Sequence, residues 1–556
     1  MRQTPPLSTD TAPRERDWWK GAVIYEIYPL SFKDSDGDGY GDLSGIIDKL
    51  PYVASLGVDA VWVCPFFKTP MRDFGYDVSD YYTVDPLFGS DQDVMRLIDL
   101  AHTLGLKIIF DMVPCHTSNE HPWFTESRAS DDNDKHDWYI WADAKPDGSP
   151  PSNWLSIFGG VAWTWEPRRR QYYFHSFLSS QPALNVRNSD VLAALLNVMQ
   201  YWYDKGVDGF RLDAITALAP DEDLRNNPPV PANEPLPYVD GGGGNPFLKQ
   251  IHLFDRDTPG VLPILKAFRS LAERYDPPRF LFAEIGDVDG AVVGAKYAQA
   301  NHAHASFIQD LILSELTAAR ATKILQRLST VMGDAWTFNA FGSHDIARQV
   351  SRWKTVCGEN DDPKKLAILL MALLLCKKGC ACIYQGEELG LTDVDLPYEA
   401  IRDPWGLTLY PDYKGRDSSR TPMPWTSTEP HAGFTSGTPW LPVGADHYQM
   451  AVEVQDSNPD SVLNAYRRFI EWRKGHPALI HGTMQVLDVQ PPCFAFLRTV
   501  EQQQMLLVFN LSNDRADWRL QGRWRSIEGH GLASARESDG QLHFAGLDVY
   551  FGYREV

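Results

Sequence analysis

The sequence predicts an α/β fold: a (β/α)8 (TIM) barrel with a small domain inserted after the third strand and a C-terminal antiparallel β-sandwich domain. Three observations carry this. Eight short apolar runs alternate with helix-like segments, the signature of a parallel sheet wrapped by helices. Charged residues recur where those runs end. Beyond about residue 480 the pattern changes to short alternating runs, as in "QMLLVFNLS" and "LDVYFGYREV", which suit antiparallel strands.

The elements follow in order. Residues 1–16 are rich in Pro, Thr and charge and read as a disordered extension. "GAVIYEIYP" is the first strand, "LSGIIDKLPYVASLG" a helix, and "DAVWVCP" the second strand. "SDQDVMRLIDLAHTLG" has helical apolar spacing behind a cap-like Ser90, and "LKIIFDMV" is the third strand. A long aromatic and polar stretch at 116–181 forms the inserted domain and interrupts the barrel segments 17–115 and 182–478. "SDVLAALLNVMQYWYDKG" is a helix before the fourth strand, "VDGFRLDAI". "PRFLFAEIG" is the fifth strand, and "ASFIQDLIL" marks the sixth with the weakest signal. "AWTFNAFGSHD" is the seventh, the run at 366–376 a buried helix, and "ACIYQGEELG" the eighth. "SVLNAYRRFIEWRKGHP" is the last helix before the C-terminal β domain, 479–556.

A net charge of −21 argues against nucleic acid or an anionic membrane as partner. The longest apolar run is too short to span a bilayer. The N-terminal segment has no apolar core of a signal peptide. Seven scattered cysteines do not form a disulfide framework, and "CKKGCAC" lacks the second knuckle of a zinc site. Buried free thiols and a cytoplasmic location are expected.

In such barrels chemistry gathers at the C-terminal ends of the strands. Asp111 and His116 follow strand three, Arg211 and Asp213 strand four, Glu284 strand five, and His344 and Asp345 strand seven. Tyr76 and Asp77 lie on the loop after strand two. A single such acid is more simply a helix cap or ion-pair partner. Asp213, Glu284 and Asp345 together, with an arginine and two histidines, would face one cleft. Two facing carboxylates suit glycoside hydrolysis, one ionised for attack and one protonated for the leaving oxygen. Arg211, two residues from Asp213, is expected to keep it ionised, and the apolar "FLFA" before Glu284 to raise that acid's pKa.

"DMVPCH", "GFRLD", "FAEI" and "SHD" resemble the four signature regions of glycoside hydrolase family 13, the α-amylase family. "QPALN", "GEELG", "GYDVSDY" and "GRDSSRTPMPW" are similar to further blocks of its α-glucosidase and oligo-1,6-glucosidase branch. The resemblance runs in order from about Trp18 to the C-terminal end. It implies a retaining mechanism with Asp213 as nucleophile, Glu284 as acid/base, and Asp345 as the carboxylate that grips the sugar hydroxyls. By the same resemblance Arg211, His116 and His344 are expected to assist, and Tyr76 to lie beneath the glucose ring. The resemblance also implies that Asp77 and Arg416 hold the terminal 4-hydroxyl, which would make the enzyme exo-acting on a small oligosaccharide. Cys115, Ala183 and Ser343 depart from the family pattern, where Asn, Asp and Asn are usual.

"DSDGDGYGD", at 34–42, places Asp34, Asp36, Asp38 and Asp42 on a Gly-rich turn, with the Tyr40 carbonyl as a further oxygen. Such a turn suits a hard cation. It is not an EF-hand: Gly45 stands where the bidentate Glu belongs, and a strand-like segment precedes it. The family branch carries a structural Ca²⁺ or Mg²⁺ there; no cofactor for the chemistry is implied. Ala214 follows the nucleophile, and in this branch a small residue there goes with α-1,4 links and Val with α-1,6. That favours maltose-type substrates; glucosyl transfer beside hydrolysis is expected of an enclosed site. The Pro/Gly-rich segment 226–246 is expected to cap the far side of the cleft. The rival readings are an oligo-1,6-glucosidase, a sucrose hydrolase or a sucrose- or trehalose-forming transglucosylase. A non-catalytic binding relative stands further off, because all three carboxylates are present.

Overall fold

The computed structural model describes residues 16–233, 245–286, 289–312, 314–356 and 362–555, so the N-terminal extension and Cys357 lie outside the described residues. Eight parallel strands close into a barrel: β1 (Val23–Ile27), β2 (Ala60–Val63), β3 (Lys107–Met112), β4 (Gly209–Leu212), β5 (Phe280–Ile285), β6 (Ala305–Ile308), β7 (Thr337–Ala340) and β8 (Cys380–Tyr384). Strand β8 pairs back onto β1, with Val23 opposite Ala381. The weak sixth strand is present and wholly buried, paired to both neighbours.

One main helix follows each strand: α1 (Leu43–Ser55), α2 (Asp91–Thr103), α3 (Ser189–Asp204), α4 (Val261–Ala272), α5 (Gly290–Tyr297), α6 (Ala318–Met332), α7 (Pro363–Cys376) and α8 (Val462–Lys474). Ser90 starts α2 with a capping box, exchanging hydrogen bonds with Asp93 and so satisfying two N–H groups that the helix end leaves free. Helix α7 is buried on nearly all sides, which is why its sequence lacks a polar face.

The barrel interior is a packed core. Phe282 and Phe338 stack with centroids 3.8 Å apart, and Trp62 meets Phe282 edge-on at 5.5 Å. This aromatic layer is the floor on which the charged residues stand. Between β3 and α3 the chain builds a three-stranded antiparallel sheet (Trp141–Ala142, Gln171–Phe174, Trp163–Glu166) over a small core of Trp154, Trp163 and Phe174. After α8, a five-stranded and a three-stranded antiparallel sheet face each other. The strand Cys493–Val500 turns Phe494 and Phe496 toward the main core and Cys493, Ala495 and Leu497 toward the second sheet, the two-residue period of a sandwich strand. Among the described residues, no helix is long and apolar enough to cross a membrane.

Candidate active site

Register places the charges. Arg211 in β4 lies opposite Asp111 in β3 and Phe282 in β5, so its side chain rises from the aromatic floor at the strand ends. The guanidinium is 1% exposed and serves three carboxylates: Nη1 donates to Asp213 Oδ1 at 2.6 Å and Asp111 Oδ1 at 2.9 Å, and Nη2 to Glu284 Oε2 at 2.8 Å. Asp345 Oδ2 stands 4.0 Å from Nη2. The structure thus gathers Asp213, Glu284 and Asp345 around one buried cation.

Their free oxygens differ. Glu284 Oε2 also accepts the Ala214 N–H at 2.9 Å, which leaves Oε1 without a protein donor among the described residues. Asp213 Oδ2 has no protein donor among the described residues and is open for attack. Ala214 holds a left-handed backbone, φ 43°, which turns its N–H back toward Glu284.

Asp213 was expected to be held ionised by Arg211, and here the structure corrects the sequence. Burial raises its pKa most, Arg211 opposes, and Glu284, Asp111 and Asp345 add to the rise, leaving it well above the usual carboxylate value. Asp111 is raised as well, by burial against the pull of Arg211. One guanidinium among three touching carboxylates leaves the cluster short of positive charge. Such a shortage favours a proton shared among the group rather than held by one residue. Asp345 goes the other way: burial opposes it, but His344, Arg416 and Arg420 outweigh burial and hold it well below the usual range.

Tyr76 is buried, with its hydroxyl 2.7 Å from His344 Nε2 and donating to Asp111 Oδ2 at 3.1 Å. His116 Nε2 lies 3.0 Å from the Tyr76 carbonyl and 3.2 Å from the Gln181 amide nitrogen. Burial lowers the pKa of His116 to about 4, so it is neutral. It acts on the site by holding the Tyr76 segment.

Arg416 is 7% exposed and ringed by Asp345 at 3.1 Å, Asp73 at 2.9 Å and Asp403 at 2.8 Å. Phe158 from the inserted sheet region covers it, stacked on Trp405 at 5.4 Å. Asp77, expected to hold the terminal 4-hydroxyl beside Arg416, is turned away from it, a second correction. The Asp77 carboxylate is fully buried and accepts from Thr69 Oγ1, Arg72 N and Asp73 N, so it fixes the turn and presents Asp73 instead. Sequence reasoning also passed over Asp403, Arg420 and Glu26. "GRDSSR" did carry a signal for Arg420, four residues from Arg416. Glu26 was hidden inside an apolar strand.

The departures from the family pattern are absorbed locally. Ser343 Oγ accepts the Asp345 N–H at 3.2 Å, Ala183 bridges His116 through the backbone, and Cys115 packs beside His116. Part of the segment 226–246 lies outside the described residues. Its described flanks dock on the inserted region, with Asn153 N donating to Asn226 Oδ1 at 3.0 Å and Asn245 Nδ2 to Ile157 O at 2.8 Å.

In the acidic loop, carboxylate oxygens of Asp34, Asp36 and Asp42 lie within 4.8 Å of one another. Asp38 is outside that group and accepts the Tyr40 N–H at 2.8 Å. Burial and neighbouring acids raise Asp38 and Asp42, a frustration that a cation would relieve. The donor set is all oxygen and fits a hard divalent ion.

Carboxylates paired across a shared arginine, with a third held ionised beside them, can protonate a glycosidic oxygen and attack the anomeric carbon from one cleft. The class this defines is a glycoside hydrolase. Residues 26–482 match the alpha-amylase catalytic domain, and the chain belongs to the α-amylase family, glycoside hydrolase family 13. It is 46% identical over 524 residues to a probable alpha-glucosidase of Rhizobium meliloti, covering 94% of each chain. It is 36% identical to an oligo-1,6-glucosidase of Parageobacillus thermoglucosidasius, covering 91% of this chain and 92% of that one. Among solved structures, an alpha-glucosyl transfer enzyme, XgtA, superposes with TM-score 0.93 at 47% identity, covering 96% of this chain and 99% of that one. An isomaltulose synthase of Erwinia rhapontici in complex with sucrose gives 0.85 at 30% identity, with 96% and 99% coverage.

Proposed function

We propose that this glucosidase is retaining and exo-acting, releasing glucose from the non-reducing end of short α-1,4-linked glucosides such as maltose, with transfer of some glucosyl units to acceptor sugars. The observation that carries the reading is the Arg416 cluster. A buried guanidinium tied to Asp345, Asp73 and Asp403 and covered by Phe158 would wall off one end of the site. A terminal glucose fits against such a wall; a chain running through does not.

Asp213 Oδ2 attacks the anomeric carbon while Glu284 gives the cluster's proton to the leaving oxygen. Water or an acceptor hydroxyl, deprotonated by Glu284, then releases the glucosyl unit. Asp345 grips the ring hydroxyls and offsets the positive charge of the transition state. Ala214 supports the α-1,4 preference, and the likeness to an alpha-glucosyl transfer enzyme supports transfer. The names of relatives such as the oligo-1,6-glucosidase keep α-1,6 links as the rival outcome. Asp34, Asp36 and Asp42 would hold a structural Ca²⁺ or Mg²⁺ that braces the loop after β1 and takes no part in the chemistry. The six described cysteines are buried and unpaired, which supports a reducing compartment, the cytoplasm.

The test is product analysis with maltose, isomaltose, sucrose, trehalose and maltotetraose, beside Asp213→Asn. Glucose from maltose, lost in the variant, is expected. Faster turnover of isomaltose than maltose would overturn the linkage preference, and release of maltose from inside longer chains would overturn the exo reading.

A further inference from the structure

His344 stands between two carboxylates. Glu26 on β1 is fully buried and places Oε1 2.6 Å from His344 Nδ1 and 3.3 Å from the His344 backbone N. Across the ring, Asp345 Oδ2 lies 3.1 Å from Nε2. A neutral imidazole carries one N–H. Either tautomer would therefore turn a bare nitrogen lone pair toward a carboxylate oxygen. Only the charged ring donates to both. The Tyr76 hydroxyl does not change this count, because it can accept from Nε2 and give its own proton to Asp111 Oδ2.

The other groups around the ring are consistent with a cation there. Tyr28 runs parallel to it, centroids 5.5 Å apart. Cys64 Sγ is 3.5 Å from Nδ1 and 3.8 Å from Glu26 Oε1, and burial pushes its thiol up to about 12. The cations on the other sides are Arg420, whose Nε donates to the His344 carbonyl at 2.6 Å, and Arg211, bonded to the Tyr76 hydroxyl at 3.3 Å. Tyr384 and Asp111 complete the titratable surroundings. Burial opposes a charge on His344, yet its pKa lies well above the usual histidine value, Asp345 being the main cause of the rise.

We infer that Glu26 is a positioning residue: it clamps His344 as a doubly protonated imidazolium, whose Nε2–H holds Asp345 ionised and aimed at the sugar. The inference rests on the proposed reading of Asp345 as the sugar-gripping carboxylate. It assigns the buried acid of β1 a role through His344 and without substrate contact. Glu26 Oε1 takes the His344 contacts and the Cys64 S–H at 3.8 Å, while Oε2 is buried without a hydrogen-bond partner among the described residues.

Glu26→Gln tests it, because the amide oxygen still accepts the Nδ1–H while the charge is gone. The alkaline limb of the kcat/KM–pH profile on maltose is expected to move down by at least about one pH unit, with kcat falling more than KM rises. The acid limb, set by protonation of the attacking carboxylate, stays in place. Glu26→Asp, which keeps the charge, is expected to recover part of the alkaline limb. A variant profile that superposes on the wild type, or one lowered equally at every pH, would overturn the inference. A second measurement needs neither a folded variant of Glu26 nor any sugar. In wild-type protein labelled with ¹⁵N-histidine, with the His344 signals assigned by their loss in His344→Gln, both ring nitrogens are expected to be protonated at neutral pH. One bare nitrogen would overturn the inference even if maltose is hydrolysed as proposed, and two protonated nitrogens would sustain it even if the substrate proves to be another sugar.

Discussion

Arg416 shows how much a single residue carries. Its guanidinium is the cation among Asp73, Asp345 and Asp403, and all four groups are largely withdrawn from water. Removing one partner of such a buried set leaves charges uncompensated, at a cost of about 3–5 kcal/mol. Arg416→Ala is therefore expected to lower stability by that amount in denaturant titration and to abolish measurable activity on maltose. A loss below about 1 kcal/mol would mean that the three acids find other partners. Asp73 was the harder residue to read. "MRDFGYD" offers two acids four residues apart, and only the turn geometry decides which faces the arginine. The local hydrogen bonds from Thr69, Arg72 and Asp73 consume Asp77 and leave Asp73 pointing in. Asp213, Glu284 and Asp345 were legible because strand ends in a barrel converge. The pKa direction of Asp213 was not, because it depends on how many other acids share Arg211.

At the scale of elements, the turn after β4 sets substrate geometry. Ala214 adopts φ 43°, a region that β-branched residues avoid, and its N–H feeds Glu284. Ala214→Val is expected to shift the ratio of maltose to isomaltose hydrolysis toward isomaltose and to lower kcat on both. An unchanged ratio would remove Ala214 from the specificity argument. The acidic loop after β1 makes a separate prediction. It reaches the site wall through Trp440, whose backbone N–H donates to Gly39 O at 3.0 Å and whose ring meets Phe74 at 5.3 Å. Chelation with EDTA is expected to lower Tm by several degrees, restored by Ca²⁺, while kcat on the remaining folded enzyme holds. An unchanged Tm would mean the loop holds no ion. The eight strands were readable because each is a short apolar run buried on both faces. Even "ASFI" was found by its place in the alternation rather than by its own weak signal.

For the whole molecule, the balance of displaced pKa values sets stability against pH. Burial raises Glu387, just after β8, to about 8, despite Arg348 and Arg352. Between its ordinary value of 4.5 and about 8 the folded protein holds a proton that the unfolded chain has lost. Stability therefore falls as pH rises through that window, by about 1.4 kcal/mol per pH unit from this one group. Depressed carboxyls such as Asp345 and Asp403 act at the acid end. Their contribution is present above the unfolded carboxylate value and is lost as pH falls through the folded one. Glu387→Gln removes the first effect, so its Tm advantage over the wild type is expected to grow from pH 5 to pH 8. A constant difference would contradict the buried, protonated state of Glu387.

The central claim, a retaining attack by Asp213 on a terminal α-glucoside, is tested most directly by following maltose hydrolysis with ¹H NMR in the first minutes, before mutarotation. The account predicts that the first glucose released from the non-reducing end is the α-anomer and that Asp213→Asn releases none at a measurable rate. β-Glucose as the first product, or undiminished release by the variant, would contradict it.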